Sequence, residues 1–458
     1  MYLWIICFVA ALGGFLFGFD TAVISGTVGF VKAKFAFDAV MEGWFVSSAL
    51  VGCVLGVAVA GKLSDSFGRK KVLILSAFLF LISAAGSAVA VTHALLIIAR
   101  LVGGIGVGIA SMLSPMYISE ISPPHLRGRM VTLYQFAITI GILCAYFSNA
   151  LLVAVGRSMA GALDNGLARW ILVDEVWRGM FGSETIPAVL FLVCLFFVPE
   201  SPRWLVKEGL IEKGRGVLAR LAGAGEADRE LADIREAVSH ESGSLRQLLA
   251  PGLRIALLIG IVLPSLSQFS GINVIIYYGP EIFNKAGFTL SDALGGQVSI
   301  GIVNVLFTIV AIMNIDRLGR RPLLLFGVSG VLLSLVLVGF FFHQNITAGF
   351  VLILFFLLFI ACFAFSYGPC TWVVISEIFP TRIRGRAMSI ATMSLWLSNV
   401  IVGQTFPMLL ETIGPAWTFW IFGVLCVPAI LLVWKVIPET RGKSLEEIER
   451  HWEEMGAS

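Results

Sequence analysis

Long runs of apolar residues, separated by short polar stretches, dominate this sequence. Each run holds about 18 or more mostly apolar residues, which lets a helix cross about 30 Å of hydrocarbon. The pattern therefore predicts a bundle of membrane-spanning helices. The first run has no basic segment before it and no small-residue cleavage site after it, so we expect a retained span and not a signal peptide. The predicted spans are residues 3–26, 42–61, 72–91, 94–118, 129–154, 179–198, 253–280, 292–314, 322–341, 349–375, 387–409 and 417–436.

Lysine and arginine are distributed unevenly between the two sets of loops that these spans create. Most of the 32 such residues fall in loops on one side, which the positive-inside rule assigns to the cytoplasm. Both termini are then predicted to be cytoplasmic. The basic loops are residues 62–71, 127–129, 203–254, 317–321, 382–386 and 435–450.

Composition supports the membrane setting and narrows the chemistry. Hydrophobic residues make up 58% of the chain and charged residues 13%, and the net charge of +3 gives no sign of nucleic-acid binding. All seven cysteines lie in apolar spans, which argues against a disulfide framework or a zinc site. We also find no nucleophile–histidine pair and no phosphate-binding loop. The sequence predicts no enzyme, no metal site and no cofactor.

Three motifs occur twice and in the same order. "DSFGRKK" at Asp65 recurs as "DRLGRRP" at Asp316, and "SEISPPHLRGR" at Ser119 recurs as "SEIFPTRIRGR" at Ser376. "PESPRW" is likewise echoed by "PETRGK". This order indicates a duplicated six-helix unit. Parallel six-span repeats are one architecture of secondary transporters, in which substrate binds between the halves and access alternates. Duplication alone does not exclude a channel.

The repeat predicts four segments in an all-α membrane protein of twelve transmembrane helices. They are an N-terminal six-helix half at 1–199, a linker at 200–252, a C-terminal six-helix half at 253–437 and a cytoplasmic tail at 438–458. The linker contains segments such as "ADRELADIREAV", which fit short amphipathic helices on the cytoplasmic surface. The alternative is a plain connecting segment.

The repeated cytoplasmic loops place opposite charges close together. Such ion pairs can hold the inner ends of the halves together in the outward-open state and separate when the inside opens. The alternative is that they only anchor the spans. This predicted cytoplasmic gate pairs Asp65 with Arg69, Glu120 with Arg127, Asp316 with Arg320 and Glu377 with Arg384.

Three ionisable residues fall inside predicted spans on the outer side. Asp20 lies six residues before the predicted outer end at Gly26, and Arg100 lies six residues after the predicted outer start at Ala94, so both are about 9 Å deep. Glu184 lies at a similar level. A lone charge at that depth is costly, so we expect the three to face inward and to interact. Moving Arg100 relative to Asp20 can then switch protonation. The alternative is a static pair that joins two helices.

Polar residues inside apolar spans indicate a second site. Gln135 is predicted near the midplane of the fifth span. Gln268 and Asn273 can face one cavity only if the helix between them is distorted, and Ser270 and Gly271 make that distortion plausible. Amides and aromatic rings, such as that of Tyr277, suit sugar hydroxyls and the apolar faces of a pyranose. The alternative is a set of interhelical hydrogen bonds.

Eight motifs in order give the chain a close resemblance to the sugar porter family of the major facilitator superfamily. They are "GGFLFGFDTAVISG", "DSFGRKK", "RLVGGIGVG", "PESPRWL", "SQFSGINVIIYY", "DRLGRRP", "SEIFPTRIRGRA" and "PETRGKSLEEIE". Within that family the chain is most similar to bacterial proton-coupled pentose and hexose symporters. The resemblance implies the major facilitator fold and a multi-pass, monomeric carrier in the bacterial inner membrane. Proton-coupled members carry aspartate at the position of Asp20, where facilitative glucose transporters carry asparagine.

The family's sugar contacts carry over to several residues of this chain. Three positions depart from the pattern. Ser267 replaces a glutamine, Tyr367 replaces a tryptophan of the xylose symporter, and Leu395 replaces a polar residue. Trp372 is a candidate replacement ring. The matching contacts are Phe17, Gln135, Gln268, Asn273, Tyr278 and Trp396.

The sequence therefore predicts a symporter that imports a monosaccharide, pentose or hexose, with protons. Its expected partners are the sugar, protons and the lipid bilayer. Two alternatives stay open. In one, Asp20 is static and the carrier is a facilitative uniporter. In the other, the protein is a sugar sensor without transport, which the small cytoplasmic face disfavours.

Overall fold

The protein is a bundle of long helices. The computed structural model describes residues 2–162, 166–239, 249, 253–346, 350–379, 384–441, 447–448 and 452, and no strand occurs among them. Twelve helical stretches in these ranges are long and apolar enough to cross a membrane. The twelve predicted spans and the all-α membrane fold are thus confirmed.

The first six spans, which we call the N-half, begin near the N-terminus and end at Phe197. The sixth span consists of α7 and α8, which meet at Glu184. A π-helical turn, Trp170–Asp174, precedes it. The helices are α1 Tyr2–Phe35, α2 Ala39–Phe67, α3 Arg69–Val89, α4 His93–Ile121, α5 Pro124–Met159, α6 Leu167–Arg169, α7 Val176–Ser183 and α8 Thr185–Phe197.

Three short helices follow the N-half, as the amphipathic pattern predicts. They are α9 Pro202–Lys207, α10 Ile211–Ala222 and α11 Ala224–Ser239. A small core of their own, which includes Val206, Leu218, Ala227 and Leu231, holds them together. These helices therefore form a packed unit beside the bundle.

The last six spans, which we call the C-half, repeat the arrangement. The seventh span consists of α12 and α13, and the tenth consists of α16 and α17. The helices are α12 Leu253–Phe269, α13 Ile272–Lys285, α14 Leu290–Leu318, α15 Arg320–His343, α16 Phe350–Phe365, α17 Tyr367–Glu377, α18 Arg384–Thr412 and α19 Gly414–Lys435.

The breaks in the C-half spans have local causes. Gly271 separates α12 from α13 with φ +85°, a backbone conformation that favours glycine. In the tenth span, Pro369 is incompatible with a continuous helix, because its ring would clash with the carbonyl of Phe365. The helix breaks at Ser366, between these two residues. Both breaks put irregular backbone in the interior of the bundle.

Glycines bring the N-half helices close together around their buried charges. A side chain at Gly104 would collide with the backbone of Ala49, so only glycine lets α4 lie directly against α2. A side chain at Gly18 would likewise collide with the backbone of Ile138, so glycine lets α1 lie directly against α5. Asp20 and Arg100 lie within one or two turns of these contacts.

The first helix is longer than the apolar pattern predicts. It continues past the expected end at Gly26 to Phe35 and ends with Lys32 and Lys34 in its last turn. We call the face of the bundle that holds Phe35 the outer face and the opposite one the inner face. The first helix thus continues at the outer face for nine residues beyond the predicted end of its apolar run.

Candidate functional site

A central cavity lies between the N-half and the C-half. Its volume is about 110 Å³, which leaves room for several water molecules or a small polar ligand. Two helices of the N-half, α1 and α5, form one wall, and helices of the C-half form the rest. The polar and aromatic lining residues are Phe17, Thr21, Gln135, Thr139, Ser267, Gln268, Asn273, Tyr277, Asn304, Thr308, Phe363, Tyr367, Thr371, Trp372, Trp396 and Asn399.

All but one of the predicted sugar-contact residues line this cavity. The exception is Tyr278, which is fully buried, packs on Phe406 with ring centroids 5.0 Å apart and donates a hydrogen bond to the carbonyl of Gly403. Its neighbour Tyr277 lines the cavity instead. Successive residues of a helix point about 100° apart, so only one of the two tyrosines can face the cavity.

The broken seventh span brings Gln268 and Asn273 together. The amide Nδ2 of Asn273 donates to Oε1 of Gln268 at 2.5 Å, and Nε2 of Gln268 donates to Oγ of Ser267 at 3.2 Å. The distortion that the sequence requires at Gly271 is thus confirmed. The two amides form one hydrogen-bonding surface in the cavity wall.

Aromatic rings from both halves line the cavity and meet there. Phe17 of the N-half and Trp396 of the C-half have ring centroids 5.3 Å apart. The three positions that depart from the family pattern, Ser267, Tyr367 and Leu395, all line the cavity. Trp372, the candidate replacement ring, lines it too. The three departures therefore act directly on the shape and polarity of this space.

Several polar atoms of the cavity wall are buried without a hydrogen-bond partner among the described residues. They are the hydroxyls of Tyr367 and Thr371, Nε1 of Trp396 and Oδ1 of Asn399. An unpaired buried polar atom typically costs about 1–3 kcal/mol. All four belong to the C-half. The wall thus offers two hydroxyls, a donor and an acceptor to a polar ligand.

The three predicted intramembrane charges meet in the N-half. Nη1 of Arg100 lies 2.6 Å from Oδ1 of Asp20, and the two side chains are almost fully buried. Glu184 is 1% exposed and interacts electrostatically with both. Its position at the junction of α7 and α8 places it beside the pair. A small space of about 10 Å³, the size of one water molecule, adjoins Asp20 and Arg100.

The inner loops of the N-half form a network centred on Arg69. Its guanidinium makes two 2.9 Å hydrogen bonds to the carboxylate of Glu120 and lies 3.3 Å from Asp65. Glu120 therefore does not pair with Arg127 as the sequence predicts, because Arg69 is brought to it by the α3–α4 packing. Arg127 donates instead to the carbonyl of Ser119 at 3.0 Å.

Glu200, to which sequence analysis assigned no role, completes this network. Its carboxylate accepts the backbone N–H groups of Arg69 at 2.9 Å and Lys70 at 3.1 Å. Burial raises the pKa of Glu200 above its ordinary value, while these N–H groups, that of Ser201 and the charge of Arg69 act in the opposite direction. The repeated "PES" and "PET" motifs were the signal for this residue.

The C-half repeats the network. Arg320 lies 3.0 Å from Glu377, and Glu439 accepts the backbone N–H groups of Arg320 and Arg321 at 3.0 Å each. The side chains of Asp316 and Arg384 lie outside the described residues. The gate ion pairs Arg69–Glu120 and Arg320–Glu377 each join elements of one half.

The outer ends of the two halves are joined by a charged cluster. Nζ of Lys32 lies 2.5 Å from Glu42 in the N-half and 3.5 Å from both Glu281 and Glu411 in the C-half. Nearby, Gln404 accepts a hydrogen bond from Ser47. The sequence did not predict this cluster, because Lys32 falls in the loop between the first two predicted spans, 3–26 and 42–61.

At the inner face, a weak hydrogen bond joins the halves, from Oγ of Ser389 to Sδ of Met112 at 3.9 Å. The ion pairs of Lys32 that join the halves lie at the outer face.

Sequence analysis also missed several polar residues of the cavity, among them Asn304 and Asn399. Both lie within apolar spans, in α14 and α18. The rule that identified Gln135, a polar amide stranded in an apolar helix, would have found them.

Comparison with protein families places nearly the whole chain in one group. The family described as "Sugar (and other) transporter" matches residues 6–452.

The chain is also similar to individual transporters over almost its full length. It is 44% identical to the arabinose-proton symporter of Bacillus subtilis, with 97% of this chain and 93% of that one covered. It is 41% identical to the D-xylose-proton symporter of Escherichia coli, with 99% and 96% covered. A structure of the xylose transporter XylE from E. coli, in a partially occluded inward open conformation, superposes with a TM-score of 0.83 at 38% identity, covering 96% of this chain and 100% of that one.

Proposed function

The chain belongs to the sugar transporter family, and on that premise we propose that it is a symporter that imports a monosaccharide with protons by alternating access. Arabinose and xylose, the sugars for which its relatives are named, are the first candidate substrates. The transported sugar is a pentose or a hexose.

The unpaired polar atoms of the central cavity are the observation that carries this proposal. Tyr367, Thr371, Trp396 and Asn399 each present a buried atom that lacks a partner among the described residues, and all four atoms adjoin the same space. A sugar supplies hydroxyl groups that both donate and accept, so it can satisfy them together. An apolar ligand would leave them unpaired.

The cavity is less polar than the family pattern on the C-half side. Ser267 is shorter than a glutamine, and Leu395 has no hydrogen-bonding group. The proposed sugar contacts are the predicted cavity residues with Tyr277 in place of Tyr278. The preferred sugar therefore depends on Gln268, Asn273 and the aromatic rings more than in the xylose symporter.

Asp20 is the proposed proton carrier. It is buried, it lies at the centre of the Arg100–Glu184 group, and it adjoins a space for one water molecule. A carboxylate paired with a movable arginine changes its proton affinity when that arginine moves. Movement of the N-half helices between the outward-open and inward-open states supplies the displacement.

The contacts between the halves support alternating access. Lys32 joins the outer ends, while the inner ion pairs Arg69–Glu120 and Arg320–Glu377 each lie within one half. This arrangement agrees with the partially occluded inward open conformation of the similar XylE structure. In the opposite state the inner networks of Arg69 and Arg320 would approach each other and act as the cytoplasmic gate.

Uptake into proteoliposomes tests the proposal. A panel of labelled pentoses and hexoses is offered with and without an inward proton gradient. We expect the gradient to drive accumulation of at least one sugar, and Asp233→Asn, an exposed carboxylate in α11, to behave as wild type. Equal uptake with and without the gradient would identify a facilitative uniporter. Sugar binding without uptake would identify a sensor.

A further inference from the structure

The central cavity and the small space beside Asp20 share two wall residues. Both spaces are lined by Thr21 of α1 and Tyr277 of α13. The hydroxyl of Thr21 is used within its own helix, where it donates to the carbonyl of Phe17 at 2.8 Å. Tyr277 is therefore the shared residue whose polar group is available to connect the two spaces.

Tyr277 is fixed by a partner in the sugar cavity. Its side chain is 2% exposed, and its Oη accepts a hydrogen bond from Nδ2 of Asn399 at 3.0 Å. A tyrosine hydroxyl that accepts one hydrogen bond still has its own proton to donate. Asp20 also lines the small space next to Tyr277, and this space is large enough for one bridging water.

Asn399 exposes its other amide atom to the ligand space. Oδ1 of Asn399 is buried and has no partner among the described residues, and the side chain lines the central cavity one turn after Trp396. A ligand hydroxyl can donate to this atom. The ligand, Asn399 and Tyr277 then form a continuous hydrogen-bonded series that leads to the space beside Asp20.

We propose that Asn399 and Tyr277 are positioning residues that couple occupancy of the sugar cavity to the Asp20–Arg100 pair. This inference rests on the proposed symport function. The proton group lies in the N-half, whereas Tyr277 and Asn399 belong to the C-half. The series therefore crosses the interface that opens and closes during transport, so its contact with Asp20 is made and broken with the conformational cycle.

Tyr277→Phe is the test, because it keeps the ring and removes only Oη. Tyr278→Phe is the matched control, since that hydroxyl donates to Gly403 and lines neither space. Two quantities are measured in proteoliposomes: sugar exchange without a proton gradient, and protons taken up per sugar. We expect Tyr277→Phe to retain sugar exchange within about tenfold, the effect of one ordinary hydrogen bond, and to lose more than half of its proton uptake per sugar. Tyr278→Phe should keep the wild-type ratio.

Three outcomes decide the inference. A wild-type ratio of protons to sugar in Tyr277→Phe overturns it. If Tyr277→Phe does not exchange sugar, Asn399→Ser is measured in its place. Loss of sugar exchange in both variants also overturns the inference, because the two residues would then be needed for the conformational change and not for coupling. Absence of sugar-driven proton uptake in the wild-type protein is a different result, which refutes the proposed symport itself.

The outer charged cluster carries a second, independent inference. Lys32 is the cation among three carboxylates, two of which, Glu281 and Glu411, belong to the opposite half. Glu42 is 1% exposed and lies 2.5 Å from Nζ of Lys32, so the same lysine also contacts the start of α2. We infer that Lys32 is an outer latch that stabilises the outward-closed state required by the proposed transport cycle.

Amide hydrogen exchange at the outer ends of α1, α2, α13 and α18 tests the latch. We expect Lys32→Met to speed exchange there several-fold, because the ion pairs of Lys32 with Glu281 and Glu411 that join the halves would be lost. Lys34→Met is the control, since Lys34 pairs with Glu175 inside the N-half. Glu411→Gln, a milder change, should act in the same direction. Equal exchange in Lys32→Met and Lys34→Met would contradict the inference, whatever happens to proton coupling.

Discussion

The charged group of the N-half and the central cavity bury their polar atoms in different ways. Arg100 donates to Asp20 across 2.6 Å, and Nε of Arg100 and Oε1 of Glu184 have no hydrogen-bond partner among the described residues, in a group that adjoins a space for one water. The cavity wall leaves the hydroxyls of Tyr367 and Thr371 and Oδ1 of Asn399 without hydrogen-bond partners among the described residues, beside a cavity of about 110 Å³. The first site pairs opposite charges beside room for one water, so it suits a proton. The second is incomplete and suits a neutral molecule with several hydroxyls.

Position adds to this contrast. Asp20, Arg100 and Glu184 all belong to the N-half, while most of the cavity wall belongs to the C-half. Neither half alone contains both sites. Coupling therefore requires contact across the interface, and such contact is lost or gained when the halves move. The following variants act on one site or the other.

Asp20→Asn should have the largest effect. An asparagine cannot carry the proton, so we expect accumulation against a gradient to be abolished while some equilibrative exchange remains. Uptake of labelled sugar with and without a proton gradient measures both. Concentrative uptake at the wild-type level would remove Asp20 from the mechanism.

Arg100→Leu should have a large effect that depends on pH. Without the guanidinium, the ionised form of Asp20 loses its compensating charge, so the carboxyl retains its proton. We expect accumulation to fail at neutral pH and to return partly when the outside is alkaline. Arg129→Leu, an exposed position on the inner face, is the control. An unchanged pH profile of transport would favour a static Asp20–Arg100 pair.

Gln268→Ala should affect the sugar site alone. Loss of one buried polar partner costs about 1–3 kcal/mol, or roughly 5- to 150-fold in sugar affinity. The variant also frees Asn273 from its 2.5 Å hydrogen bond, which adds to the loss. Calorimetry against Gln344→Ala, an exposed residue, measures the change. Wild-type affinity for every sugar would show that the sugar binds elsewhere.

Changes at Leu395 and Ser267 should have the smallest effect on affinity and should act mainly on sugar preference. Leu395→Ala removes no hydrogen bond, so we expect a weaker effect than that of Gln268→Ala. The double change Ser267→Gln with Leu395→Gln adds two amides to the wall and should move preference toward xylose. Competition of unlabelled pentoses and hexoses against a labelled sugar gives the order. An unchanged order would mean that these positions do not face the ligand.

The sequence was sufficient to predict the helical architecture, because a bilayer allows few kinds of membrane-spanning structure. A span needs a long apolar run, so the run lengths located all twelve helices. Depth alone also paired Asp20 with Arg100, since an uncompensated charge inside the bundle is costly. The break at Gly271 followed from the need for Gln268 and Asn273 to share a cavity.

Features that depend on rotation or on tertiary contact were not predictable in this way. One step of helix rotation decides that Tyr277 and not Tyr278 faces the cavity. Arg69 competes with Arg127 for Glu120, and only the packing of α3 and α4 decides between them. In the Lys32 cluster, Lys32 and Glu42 of the N-half contact Glu281 and Glu411, which are more than 200 residues away in the C-half. No local pattern in the chain specifies that contact.

Sugar-driven proton movement is the most direct measurement of the central claim. Purified protein is placed in weakly buffered liposomes, and the external pH is recorded when each of a panel of pentoses and hexoses is added. We predict that at least one sugar makes the outside more alkaline, that a protonophore abolishes the change, and that Asp20→Asn shows sugar exchange without it. Entry of sugar into wild-type liposomes with no change in external pH would contradict proton-coupled import by this protein.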